Sequence, residues 1–245
     1  MQRLMPDEFP EIERFDRDEF ISERFHYKSG EHVTFIGPTG SGKTTLAYQL
    51  LKEVTSPELQ GIVLVMKPRD NTASKWNKVL GYRIVKTWPP PLSVWEPKKL
   101  PGYTLWPGTS KDFEKDEQAQ FVQFNRCIRM CYASKKKQII FADELYSLCA
   151  ELGLEKTLVH VWTKGRSMDL GLWGATQKPT HVPLWAYNQA THLFLHNEPD
   201  ERARKRFGEI GGVDPKLVAH TVSQLQEHEW LYIHRKGPTM AIINK

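Results

Sequence analysis

The sequence has few cysteines, and that scarcity excludes a disulfide-stapled or zinc-bound domain. Three of the 245 residues are cysteine, Cys127, Cys131 and Cys149. An odd number of thiols cannot all pair, and the first two lie four residues apart in a predicted helix, so we expect reduced, buried thiols. No CxxC pair occurs and the histidines fall at no ligand spacing, which argues against zinc.

Long apolar runs, repeats and low-complexity tracts are also missing. No run approaches the roughly 20 apolar residues that span a bilayer, and the N-terminal stretch MQRLMPDEFPEIERFDRDEF is too acidic and interrupted for a signal peptide. These absences predict a soluble protein that stays in the cytoplasm of the cell that makes it.

The composition is that of a globular domain, with 40% apolar and 26% charged residues. The length suits one domain, which we place at residues 31–245, after a charged N-terminal arm at 1–30 that shows little periodicity. The net charge of +5 favours a polyanionic partner. Basic clusters at 135–137 and 201–207 are equally typical of ordinary solvated faces.

Strand and helix patterns alternate along the chain. Apolar runs predict five strands and longer periodic stretches predict three helices between them; the strands are 32–37, 61–66, 138–144, 170–177 and 190–197, and the helices are 43–54, 110–134 and 145–165. This alternation predicts an α/β fold with a doubly wound, mainly parallel sheet. EWLYIHR and TMAIIN predict a C-terminal β-hairpin.

Two segments carry more specific expectations. Residues 88–108 contain six prolines and three tryptophans, so we expect an insertion or surface loop without a helix or central strand. Helical spacing in 110–134 puts Phe121, Phe124, Ile128 and Cys131 on one stripe, which we expect to be buried.

The stretch GPTGSGKT, residues 37–44, matches the pattern G-x-x-x-x-G-K-[ST] between a predicted strand and a predicted helix. Backbone N–H groups in such a loop bind phosphate oxygens. Lys43 is expected to reach the β and γ phosphates, and the Thr44 hydroxyl to ligate Mg²⁺. The candidate ATP-binding residues are Gly37, Pro38, Thr39, Gly40, Ser41, Gly42, Lys43, Thr44 and Thr45. An ordinary glycine-rich turn is the simpler alternative.

Carboxylates follow the third buried strand, in QIIFADEL. Asp143 is predicted at the carboxyl end of that strand, where it would hold Mg²⁺, and Glu144 would polarise a water for attack on the γ-phosphate. The alternative is an acidic pair that stabilises a helix N-terminus. Gln177, at the end of the fourth strand, would face the γ-phosphate if that strand lies beside the phosphate-loop strand.

With these motifs in this order, GPTGSGKT, IIFADE and ATQKP, the sequence resembles the FtsK/HerA superfamily of ring-forming DNA-pumping ATPases over residues 32 to 197. The resemblance implies an additional-strand catalytic glutamate P-loop ATPase core, whose sensor strand lies between the other two motif strands. It makes Lys43, Glu144 and Gln177 catalytic, and Thr44 and Asp143 metal ligands.

Arg166 precedes the fourth strand, so it lies at the amino end of the sheet, roughly 25 Å from ATP at the carboxyl end. The resemblance implies an arginine finger supplied to a neighbouring subunit from this region, with Lys164 as a second candidate. The alternative is that Arg166 only caps the preceding helix or forms a surface ion pair. A site completed by a neighbour implies a homo-oligomeric ring, by resemblance a hexamer, although the sequence leaves the subunit number open.

The resemblance is to small, core-only members that package viral or phage genomes, and therefore implies a double-stranded DNA translocase, with a capsid-vertex or portal partner and the virion as a second location. Lys67, Arg69 and the cluster at 201–206 are candidate DNA contacts in the ring lumen. The alternatives are a P-loop phosphotransferase acting on a small molecule and a nucleotide-gated scaffold.

Overall fold

A computed structural model of the protein describes residues 9–92, 99–110, 112–178, 183–207, 210 and 212–244. Its strands form one ten-stranded sheet in the order β1-β10-β9-β8-β2-β7-β6-β3-β5-β4. The strands are β1 (Arg14–Phe15), β2 (Val33–Ile36), β3 (Leu59–Leu64), β4 (Arg83–Val85), β5 (Gly102–Leu105), β6 (Lys137–Ala142), β7 (Leu170–Thr176), β8 (His192–Leu195), β9 (Trp230–His234) and β10 (Thr239–Ile243).

The sheet is parallel from β8 to β4. At the other edge, β9 pairs antiparallel with β8 and with β10, which confirms the C-terminal hairpin. Strand β7 lies between β2 and β6, so the carboxyl ends of the three motif strands meet at one edge of the sheet.

Helices cover both faces of the sheet, as the doubly wound arrangement predicts. They are α1 (Arg17–Glu19), α2 (Lys43–Val54), α3 (Asn71–Leu80), α4 (Phe113–Ala133), α5 (Glu155–Lys164), α6 (Trp185–Asn188), α7 (Glu201–Phe207) and α8 (Pro215–Gln224). Ile36 of β2 belongs to the apolar cluster that includes α4, α5 and α8, and its neighbour Phe35 belongs to the cluster that includes α2 and α3. Successive strand residues thus supply two cores.

The proline-rich segment 88–108 corrects one expectation. Its described part contains β5, which pairs with β3 on one side and β4 on the other; residues 93–98 lie outside the described residues. The prediction of no central strand was wrong because Pro101 and Pro107 flank β5 rather than interrupt it. Its own residues retain their N–H groups, and the flanking carbonyl of Pro101 accepts a hydrogen bond from Gly61 at 2.9 Å.

Two helix predictions also need correction. Phe124, Ile128 and Cys131 are buried, but Phe121 is 40% exposed. The buried residues of α4 all lie in its second half, and its first half borders the cleft described below. The helix expected at 145–165 is a π-helical turn, Ser147–Glu151, followed by α5. Gly153, with φ +65°, lies at the break between them.

The segment predicted as an N-terminal arm packs on the domain in its described part. Phe15 of β1 pairs with Ile243 of β10, and Phe20 and Phe25 are buried in the same cluster as Phe35. Aromatic residues spaced among the charges therefore supply core surface that the charge content conceals.

All three cysteines are buried and unpaired, and the sulfur atoms of Cys127 and Cys131 lie 4.0 Å apart. Among the described ranges, no helix combines the length and the apolar character that crossing a bilayer requires.

Candidate active site

The loop after β2 is shaped by its glycines. Gly40 and Gly42 have φ of +84° and +89°, a region that side chains with a Cβ rarely adopt. Gly42 is also the N-cap residue of α2, so the free N–H groups of the first helical turn face the loop. The predicted phosphate cradle therefore has the backbone geometry that a phosphate-binding loop needs.

Lys43 is 8% exposed and lies inside this loop. Its ammonium donates to the carbonyl oxygens of Gly37 at 2.7 Å and Pro38 at 2.8 Å. Burial lowers the pKa of Lys43, and the nearby carboxylates of Asp143 and Glu144 act in the opposite direction. The positive charge is thus held at the mouth of the loop, where phosphate oxygens would replace the carbonyls.

Thr44 and Asp143 come together across the two motif strands. The Thr44 hydroxyl donates to Asp143 Oδ1 at 2.6 Å, so one cation could contact both oxygens. A hydroxyl and a carboxylate are ligands that Mg²⁺ accepts alongside phosphate and water. These two residues therefore fit a magnesium site, with no third protein ligand required.

Glu144 is half-buried beside this pair. Burial raises its pKa, whereas the hydrogen bond from Gln177 lowers it. Gln177 Nε2 donates to Glu144 Oε2 at 3.2 Å, which brings the predicted sensor and the predicted base together at the adjoining ends of β7 and β6. A carboxylate in this environment can accept a proton and is oriented by a neutral donor.

A cleft of about 790 Å³ lies over these groups. Sequence reasoning missed several of its lining residues, among them Phe113, Asp116 and Gln120 on the first half of α4. No motif marks them, because they reach the site only through the packing of α4.

Lys67, which the sequence offered as a lumen contact, lies at the cleft. Its ammonium is 3.5 Å from Asp143 Oδ2 and 3.8 Å from Asp70 Oδ2. Its backbone carbonyl accepts a hydrogen bond from Trp106 Nε1 at 2.9 Å. The loop after β3 thus places the positive charge of a lysine beside the candidate metal ligand Asp143.

Arg166 lies at the opposite edge of the sheet, in the 3-10 turn Gly165–Met168 that precedes β7. Its side chain is exposed, as is that of Lys164, and neither makes an ion pair with a residue that the structure describes. Backbone packing fixes the turn, since a Cβ on Gly30 would lie 2.7 Å from the Arg166 carbonyl oxygen. The structure therefore does not bring Arg166 to the other site residues of the same chain.

Comparison with known proteins adds the fold but no close relative. No family model and no curated protein matches the chain. Among solved structures, the DNA-packaging ATPase B204 of Sulfolobus turreted icosahedral virus is similar, with 16% identity over 88% of this chain and 98% of that one, at a TM-score of 0.59.

Two further solved structures extend the likeness. The pCW3 conjugation coupling protein TcpA, with ATPγS, is 15% identical over 96% of this chain and 70% of its own, at a TM-score of 0.53. VirB4 of Thermoanaerobacter pseudethanolicus is 8% identical over 86% of this chain and 88% of its own, at 0.62. The predicted α/β fold with a doubly wound, mainly parallel sheet is confirmed, and it is the fold that these solved structures share.

Proposed function

We propose that this protein is an ATPase that moves double-stranded DNA and packages a viral or phage genome into a capsid. One observation carries the proposal. Lys43, Asp143 and Glu144 converge at the carboxyl edge of the parallel strands, whereas Arg166 lies exposed at the amino edge. Such a site is completed when a second copy places its amino edge over the cleft. We therefore propose a homo-oligomeric ring, a hexamer by resemblance.

Each residue at the cleft has a separate role in the proposed hydrolysis. Backbone N–H groups of the loop hold the phosphates, and Lys43 turns from the Gly37 and Pro38 carbonyls to the β and γ oxygens. Thr44 and Asp143 would hold a magnesium ion, which would supply positive charge to the phosphates. Glu144 takes the proton of the attacking water, and Gln177 orients Glu144 and that water.

The partner subunit completes the site. A guanidinium supplied in trans stabilises the charge that develops on the γ-phosphoryl group. We assign this role to Arg166, with Lys164 as the alternative cation. Hydrolysis then requires assembly, as expected for a ring that acts on double-stranded DNA in its centre.

DNA and genome packaging are supported by charge and by size. The chain carries a net charge of +5, and the viral packaging ATPase matches it over 98% of its own length. Contacts to phosphates are insensitive to sequence and weaken with salt. We propose a capsid-vertex or portal protein as the further partner, and the host cytoplasm and the virion as locations.

The direct test is ATP turnover of the purified protein with and without double-stranded DNA over a range of salt concentrations. We expect DNA to stimulate turnover irrespective of its sequence, and the stimulation to decline as salt rises. Turnover that depends neither on DNA nor on self-association at any salt concentration would refute the proposal.

The variant Glu144→Gln separates a motor from a nucleotide-gated scaffold. It keeps the shape of the side chain but cannot accept the proton, so we expect turnover to fall by about 10²-fold or more while ATP stays bound. Glu151→Gln is the matched control, because Glu151 lines the same cleft but has no part in the proposed chemistry. Equal turnover in the two variants would contradict the role of Glu144.

A further inference from the structure

His196 follows β8, the strand that flanks β2 on the side away from β7. Its backbone N–H donates to the Ile36 carbonyl at 2.8 Å, just before the first glycine of the phosphate loop. On the other side of β2, the Thr176 carbonyl accepts from Gly37 N at 3.2 Å. The loop therefore leaves the sheet between Gln177 and His196, although only Gln177 belongs to a motif.

The side chains of His196 and Ser41 both lie beside Gly37. A Cβ on Gly37 would lie 2.6 Å from His196 Cβ and 3.0 Å from Ser41 Oγ. Trp230 closes the same space, with its ring centroid 5.1 Å from that of His196 in an edge-on arrangement. Both side chains therefore border the space that a side chain on Gly37 would fill.

Both side chains are buried, at 8% exposure for His196 and 5% for Ser41. Neither ring nitrogen of His196 nor Ser41 Oγ has a hydrogen-bond partner among the described residues. A buried polar group left unpaired destabilises the fold, because it has lost its hydrogen bonds to water. Pairing the two with each other, directly or through one water, removes this cost.

The protonation of His196 suits such a pair. Burial lowers its pKa; a contact with the Asn197 backbone opposes the shift, and the neighbouring His228 and Lys43 add to it. A neutral imidazole carries one donor and one acceptor, and a serine hydroxyl can act as either. The two groups are complementary whichever tautomer forms.

We propose that His196 is a positioning residue for the phosphate loop, which holds Ser41 and thereby sets the backbone of residues 38–42 in the conformation that receives phosphates. The inference deepens the proposed function, because it rests on the loop binding ATP. It does not depend on DNA, on assembly or on Arg166.

The test is a double-variant cycle read out as the Kd for fluorescently labelled ATP. We expect His196→Leu, which fills the space without polar atoms, and Ser41→Ala each to weaken binding about tenfold, the equivalent of about 1.4 kcal/mol. The double variant should bind as weakly as either single variant, since both remove one interaction. His196→Asn or His196→Gln should recover most of the affinity.

Controls separate positioning from a general loss of structure. His234→Leu makes the same change on β9, opposite the first residue of β8 and therefore at the edge of the sheet away from the phosphate loop. This variant should leave the Kd unchanged. The melting temperature of each variant without nucleotide shows whether it folds; if His196→Leu does not, Ser41→Ala with the Asn and Gln variants still gives the comparison.

Additive effects of the two substitutions, or Leu, Asn and Gln variants that bind ATP equally well, would overturn the inference while leaving the proposed function intact. Wild-type protein that fails to bind labelled ATP would instead refute the proposed function.

Discussion

His32, at the amino edge of the sheet, shows how one residue is set by its surroundings. Its ring is buried, and Nδ1 accepts a hydrogen bond from the Leu172 N–H at 2.9 Å. Burial lowers the pKa of His32 to about 4, while the Trp162 carbonyl acts in the opposite direction. The imidazolium form would lose the acceptor and would place a charge in the core, so the ring is neutral.

This shift gives a pH prediction for stability. The folded pKa of His32 lies below the ordinary value of 6.5, so the unfolded chain takes up the proton first and stability falls as pH decreases from about 6.5 to 4. His32→Asn keeps an acceptor but does not titrate, and we expect it to lessen this fall by up to about 3 kcal/mol.

The measurement is urea unfolding at several pH values between 7 and 4. The exposed His160→Asn serves as control and should follow the wild-type curve. A His32→Asn curve parallel to wild type over the whole window would show that His32 does not titrate as described. Glu31 affects stability only at lower pH. Burial would raise its pKa, but hydrogen bonds from His192, Lys236 and the Lys28 backbone lower it to about 2.

At the scale of elements, the N-terminal segment is the clearest difference from sequence-based expectation. Phe20 is 1% exposed, and its ring packs edge-on against Phe194 of β8 and Tyr232 of β9. The segment therefore covers β8, which lies next to the phosphate-loop strand, and β9, which lies beyond β8. Local composition predicted an arm because charged residues outnumber apolar ones, and burial of a few rings outweighs that count.

We predict that Phe20→Ala destabilises the whole domain by about 3–5 kcal/mol, since it leaves a cavity among aromatic rings. Chemical denaturation gives the free energy of unfolding. The control is Phe113→Ala, a residue 74% exposed, which should change stability by less than about 0.5 kcal/mol. A loss below 1 kcal/mol for Phe20→Ala would mean that the segment behaves as an arm after all.

At the scale of the whole molecule, the two edges of the sheet carry complementary halves of the proposed site. We predict that Lys43→Ala and Arg166→Ala are each inactive alone and recover turnover when mixed. Random mixing in a ring restores about a quarter of the sites, because an intact cleft then meets an intact arginine. The measurement is steady-state ATP turnover against mixing ratio.

A matched control uses two changes on the same edge. Lys43→Ala mixed with Glu144→Gln should show no recovery, because each site then lacks one of the two groups. Lys164→Ala in place of Arg166→Ala decides which cation acts in trans. Absence of recovery in every mixture, with a solution mass of one chain, would contradict a shared site.

Much of the candidate site could be predicted from the sequence because its parts are short and local. Lys43 and Thr44 follow a strand and open a helix within one loop, and Asp143 and Glu144 end a buried strand. Their chemistry needs only that local geometry and the rule that parallel strands end at one edge. Their catalytic roles stay predictions until turnover is measured.

The tertiary structure alone decided which distant residues join them. Lys67 reaches Asp143 because β3 lies beside β6, and His196 packs beside the phosphate loop because β8 lies beside β2. No sequence motif marks either residue. Tertiary structure also decided that the proline-flanked β5 pairs within the sheet and that the N-terminal aromatic residues are buried. Strand pairing and burial act between residues far apart in the chain, and their free energy outweighs the local preferences that a sequence displays.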